Sequence, residues 1–181
     1  MSRRIARPYA AALFKVVEKQ DAAALREVER QLATVAEAFR LQPALLRTFE
    51  LPSVTPARKQ QLLLALGRAL AVRVEVQRLL AALEQHYRLR FLSEVAESYG
   101  ALVDRREGVV RGTVELPAQP SAEQLAALAD ALGRMLGARV DLAAALRPEL
   151  LAGFVVRVGS RVYDGSLRTQ LERFAASGKE Q

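Results

Sequence analysis

Cysteine and tryptophan are absent from all 181 residues, and histidine occurs once, at His86. Without cysteine the chain has no disulfide, thiolate metal site or cysteine nucleophile, and a single imidazole excludes any site built on paired histidines. Half the residues are apolar (51%), yet no uninterrupted apolar run approaches the ~18 needed to span a bilayer. A soluble protein without direct membrane insertion is expected. Nucleotide chemistry has no support either. Gly108 with Gly112, and Gly153 with Gly159, fit neither a dinucleotide fingerprint nor a P-loop, and the Lys-Ser/Thr pair that would hold phosphate and Mg²⁺ is missing. The carboxylates show no EF-hand or HExxH spacing. No catalytic residue, cofactor or metal ligand set is expected, which leaves binding and structural roles.

What the chain does have is positive charge and apolar periodicity. A formal charge of +7, carried by 23 Arg and 4 Lys, points to nucleic acid or an anionic surface as a partner, so a basic helical RNA-binding protein is one reading. The distribution argues against it. Acidic residues are interleaved throughout, basic clusters are short, such as Arg3, Arg4 and Arg7, and Arg105 with Arg106, and the ten Phe and Tyr residues form no RNP-like pattern on the strands. The other reading is an assembly subunit whose apolar faces exceed its own core and accept partner helices. The opening "MSRRIARPYAAALFKVVEK" reads as mature protein: Lys15, Glu18 and Lys19 interrupt any secretory apolar core, and the helical pattern continues past it.

From Ile5 to about Arg105 the apolar period is helical. Ile5, Tyr9, Leu13, Val16 and Val17 form one stripe, and Leu25, Val28, Leu32, Val35 and Phe39 recur at 3-4-3-4 spacing on a second helix. Thr55 with Pro56 marks an N-terminus, Val76, Leu79, Leu80 and Leu83 continue the pattern, and Ser93 is placed to cap a further helix. Five or six short helices with brief loops predict a bundle over residues 1–106. At "REGVVRGTVELP" the period changes to two, with Val110, Gly112, Val114 and Leu116 on one face of a strand. "SAEQ" is a capping-box match at Ser121 and Gln124, opening a helix with Leu125, Leu128, Leu132 and Met135 or Leu136 inward and Gly137 at its end. A strand at "RVDL" follows, then Phe154, Val156 and Val158 alternate up to Gly159-Ser160, a type II′ hairpin turn. Asp164 or Ser166 caps a last helix with Leu167, Leu171 and Phe174 on one face. The fold class expected is mostly α: a helical bundle followed by a small α/β domain with a β-hairpin over residues 107–181.

"IARPYAAALFKVVEK", the helical region after it, and "ALRPELLAGFVVRVGSRVYDGSLRTQLERF" together resemble the delta subunit family of F-type ATP synthase, whose mitochondrial counterpart is the oligomycin-sensitivity-conferring protein. The most specific part is the C-terminal signature of Pro148, Gly153, Asp164, Gly165, Ser166, Leu167 and Arg168 with Leu171; Ala152 stands where the pattern commonly has a first Gly. The resemblance implies an N-terminal six-helix domain and a non-catalytic stator subunit, present once in a large hetero-oligomer at the cytoplasmic face of a bacterial membrane. It further implies that N-terminal helices of α subunits enter a groove between the first and fifth helices, and that the peripheral-stalk b subunit binds the C-terminal domain. Carried onto this chain, the groove involves Tyr9, Ala12 and Leu13 with Leu79, Ala82 and Leu83. Tyr9 and Leu13 are i and i+4, as are Leu79 and Leu83, so each helix can present one continuous apolar ridge.

Overall fold

A computed structural model describes residues 2–150, 152–159 and 161–165. The chain is mostly helical with one small mixed sheet, in the order α1 (Ser2–Val17), α2 (Ala22–Leu41), α3 (Pro43–Glu50), α4 (Pro56–Ala69), α5 (Val74–Gln85), a 3₁₀ turn (Leu89–Phe91), α6 (Leu92–Glu107), β1 (Val109–Leu116), α7 (Ala122–Leu136), β2 (Arg139–Leu146), β3 (Val155–Val158) and β4 (Arg161–Asp164). It divides into two compact units between Val103 and Asp104.

In the first unit, local chemistry sets the helix ends. The Asp21 carboxylate accepts the Ala24 amide at the start of α2, and the Thr55 hydroxyl accepts the Arg58 amide at the start of α4, with Pro56 in the first turn. The stripe Leu25, Val28, Leu32, Val35 and Phe39 is buried throughout its length, as its spacing predicts. It meets Val76, Leu79, Leu80 and Leu83 of α5 and Val95, Tyr99 and Val103 of α6 in a single apolar cluster. Full burial of each Val or Leu contributes roughly 1.5–3 kcal/mol. Tyr99 is fully buried in this cluster. Its hydroxyl donates to the Leu25 carbonyl at 3.4 Å, its ring meets Phe14 edge-on at 6.1 Å, and burial pushes its phenol well above the ordinary range.

Two local expectations shift. Ser93 does not cap α6, because the 3₁₀ turn feeds directly into a helix that begins at Leu92. On α1 the buried line is Ala6, Ala10, Leu13 and Val17, while Ile5 and Tyr9 are half-buried and Val16 is 53% exposed. The two alanines bring the α1 backbone close to its neighbours, and this rotates the bulkier residues to the edge of the interface.

In the second unit, β1 is central in the strand order β2-β1-β3-β4. It pairs in parallel with β2 through the α7 crossover and antiparallel with β3, which forms a hairpin with β4. Val110, Gly112, Val114 and Leu116 share one face, and Val114 is fully buried there with Leu132, Val140, Leu142, Val156 and Val158. The capping box at Ser121 and Gln124 is complete in both directions, and Gly137 ends α7 in the left-handed region at φ +64°. Leu136 packs against the sheet and Met135 is exposed. The second strand runs past "RVDL" to Leu146, in register with the whole of β1. Gly159, at φ +58°, opens the hairpin turn. Ser160 and the expected last helix, with Leu167, Leu171 and Phe174, lie outside the described residues.

Candidate functional site

Helices α1 and α5 pack against each other in antiparallel fashion, closed by a polar contact at each end. At one end the Arg88 guanidinium donates to the Tyr9 hydroxyl at 3.0 Å and lies 5.8 Å from the centre of its ring. At the other, Gln20 donates to the Glu75 carboxylate at 2.8 Å, and Arg73 donates to both Gln20 and Glu75. Gln31 accepts the Arg73 amide at 2.8 Å and ties α2 to the same cluster. The Gln20 bond, with help from Arg73, holds the Glu75 carboxyl down at about 2.

The six groove residues named from sequence separate into two sets. Leu13 (6% exposed), Leu79 (7%) and Leu83 (0%) belong to the unit's own core. Tyr9 and Ala82 are half-buried and Ala12 is exposed. Sequence reasoning missed Val16 as a surface residue. With Ile5, Tyr9 and Ala12 it forms a line at i, i+4, i+7 and i+11, a second apolar strip beside the buried one. The signal was present in the same spacing, hidden because large residues were assigned to the core before the alanines. Ala12 on α1 and Ala82 on α5 are small and not fully buried, on the same helices as the buried Leu13, Leu79 and Leu83.

The C-terminal signature gathers elsewhere, around Phe154. The Gly165 amide donates to the Phe154 carbonyl at 2.9 Å, and a side chain at Gly165 would begin 3.2 Å from that ring. Gly153 adopts φ +89°, a conformation that favours glycine. Asp164 sits in β4 opposite Val155, and Pro148 is exposed between β2 and β3. Ser166, Leu167 and Arg168 lie outside the described residues. Phe154 and Gly153 also border a cleft of about 480 Å³ with Leu116, Pro117, Leu125 and Leu128. On the opposite sheet face Glu115 accepts from Arg147 at 2.7 Å and Arg157 at 3.1 Å, and these bonds hold its carboxyl below the usual range.

Among the described residues no group of three or more His, Cys, Asp or Glu is arranged to hold a metal ion, and no helix is long and apolar enough to cross a membrane. A helical unit with a partly exposed apolar strip, followed by a second unit with a small mixed sheet and an apolar cleft, defines a mostly helical two-unit protein. Comparisons with known proteins give its family. The ATP synthase delta (OSCP) subunit pattern matches residues 5–177. The chain is 33% identical over 167 residues to ATP synthase subunit delta of Nitratidesulfovibrio vulgaris, covering 92% of this chain and 91% of that one. It is 35% identical over 168 residues to the subunit of the same name from Anaeromyxobacter dehalogenans, covering 93% of each. Its fold is similar to a chain in the cryo-EM structure of the Toxoplasma gondii mitochondrial ATP synthase hexamer, with a TM-score of 0.69 and 23% identity over 100% of this chain and 98% of that one. The chain belongs to the ATP synthase delta (OSCP) subunit family, and is a structural, non-catalytic subunit.

Proposed function

We propose that the protein is a stator link, joining the catalytic head of an F-type ATP synthase to its peripheral stalk so that the head does not turn with the rotor. Residues 1–106 act as a six-helix bundle that receives the N-terminal helix of an α subunit along α1 and α5, and residues 107–181 hold the end of the b subunit. One copy serves each complex, held peripherally at the cytoplasmic face of a bacterial membrane through its partners. The observation that carries this reading, beside family membership, is the partly exposed apolar strip Ile5, Tyr9, Ala12 and Val16 on α1, a helix that packs on α5, where Ala82 is half-buried. A link under torque needs broad apolar contact, because exposed ion pairs contribute only ~0–1 kcal/mol each. In the second unit the cleft beside Phe154 offers apolar surface of the same kind.

The reading is tested at Ala82. A carboxylate there stays hydrated in the free protein but is desolvated under a bound helix, at a cost of several kcal/mol unless paired. Ala82→Asp is expected to weaken binding of an α-subunit N-terminal peptide at least tenfold, about 1.4 kcal/mol, while the thermal midpoint moves by only a few degrees. Unchanged affinity in a folded variant would place the docking surface elsewhere.

A further inference from the structure

The charges along the strip are unbalanced. On α1, Arg4, Pro8 and Lys15 are exposed on the outer side of the apolar line, with Pro8 one turn before Ala12 and Lys15 three residues after it. On α5, Arg78 is exposed and stands one turn before Ala82, at i and i+4. The side chains of Arg4, Lys15 and Arg78 make no hydrogen bond or ion pair with any described residue, in contrast to Arg3, which reaches Glu97 at 3.9 Å, and to Arg26, Arg40 and Arg73, each bonded to a nearby carboxylate. The carboxylates at the ends of these helices are already engaged, Glu75 by Gln20 and Arg73, and Glu18 by a contact of its own. Of the two helices that pack together here, α1 carries Arg4 and Lys15 beside its apolar strip and α5 carries Arg78 beside Ala82, all three without a charged partner among the described residues.

Resting on the docking role proposed above, we infer that the occupant of this strip is an amphipathic helix whose apolar stripe is flanked on both sides by acidic residues. The apolar stripe would meet Ile5, Tyr9, Ala12, Val16 and Ala82. The flanking carboxylates would meet Lys15 and Arg4 on one side and Arg78 on the other. Charge of this kind acts mainly on partner choice and on the rate of encounter, while apolar contact supplies the affinity. A helix with basic flanks but the same apolar stripe is repelled along both rims.

The test uses the full chain and two synthetic helical peptides that share an apolar stripe at i, i+3, i+4 and i+7, one flanked by Glu and the other by Lys. Binding is followed by fluorescence anisotropy at low and high salt. The Glu-flanked peptide is expected to bind at least tenfold more tightly at 50 mM salt, with most of that preference lost at 500 mM salt. Arg78→Glu or Lys15→Glu, both at exposed positions, is expected to reduce or reverse the preference with little change in thermal midpoint. Equal affinities for both peptides, each abolished by Ala82→Asp, overturn the charge inference and leave the docking site standing. Binding that Ala82→Asp does not touch, or no binding of either peptide, overturns the site and the inference with it.

Discussion

Arg88 and Tyr9, 79 positions apart in the chain, form one contact by two means: a hydrogen bond of 3.0 Å to the phenol oxygen and a guanidinium 5.8 Å from the ring centre. The pair joins the segment after α5 to the second turn of α1, so it fixes one end of the proposed docking strip. Tyr9→Phe removes the hydrogen bond and keeps the ring; Arg88→Ala removes both. A double-mutant cycle on thermal unfolding is expected to give a coupling of about 0.5–1.5 kcal/mol, with Tyr9→Phe alone costing less than Arg88→Ala. Strictly additive effects would show that the contact does not hold the two helices.

The leucines beneath the strip should behave differently from the alanines that edge it. Leu83 is fully buried, and Leu83→Ala is expected to destabilise the protein by about 2–5 kcal/mol in chemical denaturation. A change below about 1 kcal/mol would mean that the site collapses around the missing side chain.

Glu75 makes stability depend on acid. Its carboxyl is held at about 2 in the folded protein against an ordinary 4.5, so its contribution is fully present above about 4.5 and is lost as the pH falls toward 2. The Tm difference between the parent and Glu75→Gln is expected to be constant at neutral pH, to shrink below about 4.5, and to close near 2. A difference independent of pH would mean that Glu75 has no preferential bond to Gln20 and Arg73.

Gly112 leaves no room for a side chain in the sheet. A side chain there would begin 2.8 Å from Val158 Cγ2 and 2.9 Å from the Arg157 carbonyl oxygen. Gly112→Ala is expected to push β1 and β3 apart and to destabilise the second unit by about 1–3 kcal/mol, seen as faster amide exchange in β1 and β3. Unchanged exchange protection would show that the strands can separate without cost.

Much of this was legible in sequence wherever one residue type has one physical use. Ser121 and Gln124 announced a capping box, Gly137 a left-handed helix end, and the spacing from Leu25 to Phe39 a buried helix face. The orientation of α1 was not, because Ala6 and Ala10 drive it through close backbone approach, while hydrophobic weight favours Ile5, Tyr9 and Val16. Burial of Lys59 beside Glu84, 4.0 Å apart and 5.3 Å from the centre of the Tyr87 ring, had no sequence signal either. It comes from the meeting of α4 with α5, and charged residues at helical spacing usually face solvent. For the proposed docking strip, sequence supplied the two helices and the small residues, and the fold decided which of the six candidates remained at the surface.

The order of strands has a consequence for the moment of synthesis. β1 is made first but lies in the middle of the sheet, and its neighbours β2 and β3 come later, the last ending at Val158. At a typical 5–20 residues per second, about 2–8 seconds separate the end of β1 from the end of β3. Until α7 and β2 follow, both edges and the apolar face of the nascent strand are uncovered, and the edge that β3 takes stays open to the end of the interval. Arg111, Thr113 and Glu115, alternating on its other face, give the segment the charged and polar side chains by which strands resist pairing with a neighbouring chain before their own partners arrive.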